Sequence, residues 1–544
     1  MYRAKDFIAA LLLVIVMLGV SGCVSAGTED ESTLSTANSV STDESAVTDP
    51  LAVESWSLEI MDDESFNALS EEERVYVAKK LYSTLYKSID IVSLKAAISS
   101  GTFISDFKKL LESDAEQSEL DRIVMAPYEE LADGKGSGDA ISAEKSYVDK
   151  EVVGRLIFTK LDREHYSNWM AYVLDHTILF SPAWEVDTML NFPQHVLNNF
   201  NRLRDRIYQN RPIKEIVLEH MVSVENWARF RSPEDNGREM LEVWLYDFDD
   251  SHVPLAAEAL KNWSYYTYFE WPYNKYTFID GVGDEDNDIT VNLLGRQLRT
   301  GLDFFNAVID NENFMPTVVD RLVSRFMPNL DADTRAEAVE QIVASNPDSF
   351  KDIFDQIIFS KLYLLESDRS KTIEEVVLAF MDNLKFRVDA KTYTPLLTAF
   401  NDTNQKILTY KLGREDKAPV DTLSFGSLHK YVREYLMLNR DESDVYPDDD
   451  GIDYDMLTYR YDDSNLSVYL DDLFLDFLGR KATLQEHQTL ESYFLSTETY
   501  QGNILGNLDD PGSKSYIVMA VLDYISRLSE FYQYRKVEER KESL

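Results

Sequence analysis

His176 supplies an imidazole that can exchange a proton near neutral pH, and Arg238, Glu239 and Glu242 stand together further along the chain. Arg238 and Glu242 are four apart, the spacing that pairs opposite charges on one helix face. With His176 beside them, a buried His/Arg/Glu cluster would serve acid–base chemistry or hold a ligand; the same residues equally make a structural polar network clamping helices together. A second set suits a hard cation. Asp284, Asp286 and Asp288 alternate in GDEDNDI, and Asp448 and Asp450 precede Gly451 in PDDDGID, so carboxylates in either loop can turn toward one Ca²⁺. Neither is an EF-hand: Ile289 replaces the glycine of the first, and Tyr446 and Leu457 replace the leading Asp and the bidentate Glu of the second. Solvated acidic loops are the competing reading.

Other chemistries lack their residues. His165, His176, His195, His220, His252, His429 and His487 show no H-x-x-x-H pair for zinc, and there is no G-x-S-x-G elbow, haem-binding C-x-x-C-H or phosphate-loop G-K-[ST]. Lys and Arg number 54 against 97 Asp and Glu, a formal charge of −43 that repels nucleic acid and anionic lipid heads. Such a charge suits solubility at a crowded surface, a bound cation or a basic partner. The many aromatics fall at helical spacing and read as core, with Trp271 and Tyr273 as the residues that would stack on sugars if exposed.

The elements that must position these groups are helices. Ser232, Pro233 and Asp235 give an N-cap, a proline at the first helical position and a capping-box spacing, and Met240, Leu241, Trp244, Leu245 and Phe248 then repeat on one face. Residues 247–251 break that helix with small hydrogen-bond acceptors. Pro254 opens the next, and Leu255, Ala256, Ala259, Leu260 and Trp263 repeat the spacing, predicting a helical hairpin with a tryptophan on each arm. Ser70 with Glu73 and Thr483 with Glu486 make further capping boxes. A Gly/Ser break spans residues 134–142, residues 272–288 interrupt the pattern, residues 293–326 resume helix, and a last helix runs over about 515–534. No stretch sustains period-two alternation. The expected fold is therefore all-α, a multi-layer helical assembly with long irregular acidic loops and few or no strands.

At this point the residues match a pattern. PEDNGREMLEVWLYDF followed by VPLAAEALKNW resembles two helices of the bacterial domain-of-unknown-function family numbered 1800. Arg238, Glu239, Leu241 and Glu242 fall on its R-E-x-L-E pattern, with Asn236 one place closer to the arginine than usual and Trp244 on the same helix. Ala256, Ala259, Leu260 and Trp263 fall on its second helix. WMAYVLDHTILFS is similar to the family's tryptophan/histidine helix, with His176 on the histidine and Thr177 in place of the usual phenylalanine. The resemblance, that of a divergent member, covers roughly residues 145–430. It implies a helical envelope or secreted protein, often encoded beside a sulfatase-like family, with no established chemistry.

The N-terminus reads as an address. Arg3 and Lys5 precede an apolar run over residues 7–20, and Val20-Ser21-Gly22-Cys23 is the small-residue site at which a lipoprotein signal peptide is cut and Cys23 acylated, palmitate being the expected chain. Cys23 is the single cysteine of the chain, so no disulfide forms within it. Val24 rather than Asp comes next; by resemblance to Gram-negative lipoproteins this favours the outer membrane where the host has one. The expected organisation is a signal peptide (1–23), a disordered acidic tether (24–52), an N-terminal helical region (53–140), a family-like helical core (141–440), an acidic loop (441–455) and a C-terminal helical subdomain (456–544). The function expected is that of a lipid-anchored cell-envelope protein that binds or assembles with another exported protein and touches no nucleic acid. The alternatives are an envelope hydrolase or other enzyme using His176, Glu239 and Glu242, and a calcium-stabilised surface protein.

Overall fold

The computed structural model describes residues 58–114, 148, 151–179, 193–223, 226, 232–269, 277–386, 396, 398–400, 402, 403, 405, 407, 422–437, 452, 454–498 and 502–538. Cys23, the tether, the 134–142 break, Trp271, Tyr273, Asp448 and Asp450 lie outside them. The chain divides into two units, residues 1–55 and 56–544, and every described residue belongs to the second. The fold is all-α, with strands confined, among the described residues, to three two-stranded antiparallel ribbons. No helix of the described residues is long and apolar enough to cross a membrane.

Caps set the helix starts as the sequence predicts. The Ser70/Glu73 box opens α1 (Glu71–Thr84) with both of its hydrogen bonds in place. Then come α2 (Phe103–Glu112), α3 (Arg163–Asp175), α4 (Pro193–Tyr208) and α5 (Ile213–Met221). Ser232 caps α6 (Pro233–Leu245) by accepting from the Asp235 N–H at 3.1 Å, the arm of the box that the sequence carries. Helix α7 (Val253–Ala259) crosses α6 so closely that a Cβ on Gly237 would sit 2.7 Å from that of Ala256.

Three expectations fail over residues 248–300. Trp263 does not end a helix: it opens strand β1 (Trp263–Phe269), paired antiparallel with β2 (Thr277–Asp284). The run SYYTYF is β-branched and aromatic, and its preference overrides the Leu/Ala spacing that stops at Leu260. Leu293 lies in a second ribbon, β3 (Val291–Leu293) with β4 (Arg296–Leu298), turned by Leu294 and Gly295 at φ 51° and 72°, the left-handed pair of a tight hairpin. Helix returns only at α8 (Gly301–Ile309), behind the Thr300/Asp303 box. Phe248 is 67 % exposed rather than core, because the chain leaves α6 at Tyr246 in the left-handed region and turns the next residues outward.

Helix α9 (Phe314–Phe326) and α10 (Phe350–Ile358) lead into a π-helix (Leu362–Glu366), the short strand β5 (Arg369–Ser370) and α11 (Ile373–Asn383). The C-terminal part holds α12 (Leu466–Leu478), α13 (Leu484–Ser496), α14 (Pro511–Ile525) and β6 (Gln533–Tyr534). Thus the expected final helix stops at Ile525, and Tyr534 pairs with Arg369 across β5 and β6. Two helices start by the same device. Arg369 forks Glu375 at 2.7 and 2.5 Å while Glu375 caps the Thr372 N–H at 2.8 Å. Arg480 forks Glu486 at 2.7 and 2.9 Å while Glu486 caps the Thr483 N–H at 2.7 Å. The sequences RSKTIEE and RKATLQE share the spacing R-x-x-T-x-x-E, in which the arginine neutralises a carboxylate already bound to a helix start.

The two ends of the described chain meet at Lys80, on α1, which is 1 % exposed. Its ammonium donates to the carbonyl oxygens of Tyr363, Leu364 and Ser367 at 2.6, 3.4 and 3.3 Å, and lies 4.7 Å from the Tyr363 ring and 5.2 Å from that of Tyr534. The Tyr363 hydroxyl bonds Thr84 at 2.6 Å, and the Tyr534 hydroxyl bonds Ser83 at 2.8 Å. Removing the ammonium strands carbonyls away from water, at about 1–3 kcal/mol for each buried group left without a donor. Lys80→Met should therefore lower the unfolding free energy by at least about 2 kcal/mol in chemical denaturation, whereas Lys109→Met, which deletes the exposed Asp106 pair, should shift it by under about 1 kcal/mol.

Candidate functional site

Helix α3 is buried on every side from His165 to Asp175, so each polar side chain on it needs an internal partner. Asp162 caps its start by accepting from the His165 N–H at 2.8 Å. The His165 ring lies 2.7 Å from the Leu85 carbonyl and 2.7 Å from the Thr159 hydroxyl, and burial, with Lys87 nearby, holds its pKa well below the usual histidine value. At the other end Tyr172 donates to Glu374, itself fully buried on α11, at 2.7 Å.

His176 is the C-cap of this helix. Its Nδ1 lies 2.6 Å from the Tyr172 carbonyl and so donates to it, and its ring packs 4.3 Å from that of Tyr172. The imidazole thus adds a second donor to a carbonyl that also accepts the His176 backbone N–H at 3.3 Å. Beside it lies a buried chain of polar groups that the sequence reading overlooked. Asp175 Oδ1 accepts from Asn199 at 2.5 Å; Asn199 Oδ1 accepts from Arg202 at 2.8 Å and lies 3.2 Å from His220 Nδ1. Asp175 Oδ2 has no hydrogen-bond partner. Burial lifts the Asp175 carboxyl well above the usual carboxylate range, against the opposing Asn199 amide and Arg202 charge. The group ties α3 to α4 and α5. The signal for it was present: Asp175 directly precedes His176 in an otherwise apolar stretch, where a carboxylate must find partners or a proton.

The second group of sequence candidates sits on α6. Helix α3 packs chiefly on α4, α2 and α10, whereas α6 packs chiefly on α7, α8 and α9. Arg238 does not pair with Glu242; its guanidinium lies 3.5 Å from Glu234, one turn in the other direction, with 43 % of the side chain exposed. Glu242 contributes its backbone carbonyl, which with that of Val243 accepts from Arg321 at 3.2 and 2.9 Å, so an arginine of α9 closes the end of α6. Asn236 is fully buried, and neither atom of its amide has a hydrogen-bond partner. Trp244 packs against Phe314, ring centroids 5.9 Å apart, and Trp263 meets Phe305 edge-on at 5.1 Å. Of the resembling motif, the apolar and small residues build the α6/α7 crossing, and Arg238 and Glu234 stay at its surface.

The acidic loop after β2 is strapped to the fold. Asp286 lies 3.3 Å from Arg299, and its carbonyl accepts from Asn262 at 3.0 Å. Asn287 turns inward, donating to the Ala259 carbonyl at 2.8 Å. Asp284 ends β2, and Asp288 is exposed. Among the described residues no three His, Cys, Asp or Glu side chains are grouped to hold a metal.

A cleft of ≈ 440 Å³, large enough for a small ligand, opens between Leu111, Arg163, Tyr166 and Lys351. Its cations are already engaged: Arg163 lies 4.4 Å from the Tyr208 ring and donates to the Tyr208 carbonyl at 2.5 Å, and Lys351 joins Asp355 at 2.6 Å and Glu112 at 3.4 Å. Tyr166 donates to the same Asp355 at 2.8 Å. The lining ties α2, α3 and α10 together.

Lys87 gives this region a pH signature. It is 4 % exposed, donates to the Ile157 carbonyl at 2.8 Å, and burial pulls its pKa from 10.5 down to about 8. Between those values the unfolded chain holds the proton that the folded chain has lost, so stability rises with pH across that window and the cost of burying the charge is in full force below it. Comparison of the native chain with Lys87→Met by denaturation should show the difference between them changing by up to about 3 kcal/mol from pH 7.5 to 10.5, and a difference that is flat with pH would contradict the assignment.

No family model matches the chain, and neither a curated protein nor a solved structure matches it.

Proposed function

We propose that the chain is a lipid-anchored cell-envelope protein whose helical body binds another exported protein. The anchor half of this reading rests on the apolar run over residues 7–20, the Val20-Ser21-Gly22-Cys23 site and the absence of any other cysteine in the sequence. Two acyl chains on Cys23, each worth ~0.8 kcal/mol per buried methylene, hold a protein at a membrane where one chain is marginal. Val24 after the cysteine supports the outer membrane in a Gram-negative host. The likeness of α6 and α7 to the family numbered 1800 belongs to the same proposal, and Arg238, Glu239, Leu241, Glu242, Ala256 and Ala259 support it.

The binding half is carried by one observation. Phe248 is 67 % exposed, and its ring stacks on that of Tyr246 with centroids 6.4 Å apart and an interplanar angle of 19°. A large apolar ring held out in a fixed pose is what protein interfaces use as an anchor, since little side-chain freedom is lost when it docks. Two of the polar groups singled out for chemistry support the same reading: His176 bonds the end of its own helix, and Arg238 pairs at the surface.

Cell fractionation tests the anchor. The native chain should stay in the membrane fraction after a high-salt wash, and Cys23→Ser should yield either a soluble folded body or an unprocessed precursor. A Cys23→Ser chain that matures to native size and remains in the washed membrane would contradict the proposal.

A further inference from the structure

The loop that carries Phe248 also specifies what it fits. The chain leaves α6 through Tyr246 at φ 52°, a conformation that a bulky residue adopts only under constraint. Three contacts supply the constraint: the Tyr246 hydroxyl donates to Asp320 at 2.7 Å, Asp320 is held by Arg335 at 3.3 Å, and the Arg321 guanidinium lies 4.7 Å from the Tyr246 ring. Beyond it, Asp247 is bound by His252 at 2.6 Å, and Asp249 accepts from the Ser251 N–H at 2.9 Å. The outcome is an exposed Phe248 whose sequence neighbours on both sides are carboxylates, Asp247 before it and Asp249 and Asp250 after it.

We propose that residues 246–251 dock a lysine- or arginine-bearing segment of the exported partner, its cation meeting the Phe248 ring and the flanking Asp249 and Asp250 carboxylates. The inference rests on the protein-binding reading above and names its surface and chemistry. An aromatic face attracts a cation through its quadrupole, and neighbouring carboxylates add to the attraction and steer the approach. The formal charge of −43 argues against the other occupants, because a second copy of this chain or an anionic lipid surface would be repelled.

That same charge attracts any polycation diffusely, so the test turns on substitutions that leave charge unchanged. Binding of a labelled Gly/Ser peptide carrying four arginines is measured by fluorescence anisotropy on the full-length chain in detergent, beside the same peptide with citrulline in place of arginine. Phe248→Ala and Phe248→Leu should each weaken the arginine peptide about tenfold, while Tyr459→Ala, at a position 83 % exposed elsewhere on the body, should leave it unchanged. Citrulline should bind at least about tenfold more weakly than arginine. Equal effects of Phe248→Ala and Tyr459→Ala would overturn the inference in favour of diffuse attraction, and equal binding of the two peptides would overturn the cationic partner. A photocrosslinking residue placed at 248 or at 459 in the intact envelope separates this inference from the reading beneath it. A partner captured from 459 and not from 248 keeps the protein-binding function and overturns this surface. Loss of peptide binding in Phe248→Ala, with no envelope protein captured from either position, keeps the cation seat and overturns the function.

Discussion

A lysine ammonium enclosed in the body is the constraint on which the rest of the structure depends. Moving such a charge out of water costs several kcal/mol even after relaxation, so it is tolerated only where fixed dipoles replace its hydration. Lys80 finds them in the carbonyls of Tyr363, Leu364 and Ser367, at and just past the π-helix. That helix has its i→i+5 geometry where α1 needs acceptors. The rings of Tyr363 and Tyr534 complete the enclosure, and their hydroxyls return to Thr84 and Ser83 on the helix that bears the lysine. Sliding α1 by one turn would break all of these contacts together. Segments as far apart in sequence as Ser83 and Tyr534, separated by 451 residues, are thereby held in one register.

Arginines extend the same logic outward. Arg369 and Arg480 each grip the carboxylate that starts the next helix, and Arg480 also reaches Glu530 at 2.8 Å. Arg321 closes the end of α6 through two carbonyls while lying against Tyr246. These arginine contacts hold helix ends and starts in position. Phe248 inherits its pose from this chain of supports: Arg321 and Asp320 fix Tyr246, and Tyr246 stacks on Phe248.

The helical character and its starts were legible in the sequence, because caps are local. Ser70 with Glu73, Ser232 before Pro233, and Thr483 with Glu486 each settle a boundary through atoms a few residues apart. The errors arise where distant contacts decide. Phe248 continues a helical face on paper, but the helix ends at Tyr246, where Arg321 and Asp320, from a helix far along the chain, hold the turn. Trp263 continues the Leu/Ala spacing, yet β2 offers a ladder partner and the aromatic run takes it. Lys80 could not be recognised at all: a lysine in a capped helix reads as a solvated face, and its acceptors lie 283 residues and more further on. The doubled R-x-x-T-x-x-E spacing, by contrast, was open to reading, since a capping carboxylate with an arginine six residues before it is a local pattern.

Hydrogen exchange of the full-length chain tests most directly whether the described body is one unit closed around Lys80. The account predicts that amides of Glu71–Thr84, Leu362–Glu366 and Leu466–Leu478 exchange only through a common opening, with the same free energy and the same dependence on denaturant. Exchange of Leu466–Leu478 through an opening several kcal/mol less costly than that of Glu71–Thr84 would contradict it, since the C-terminal helices would then come away while the lysine stayed enclosed.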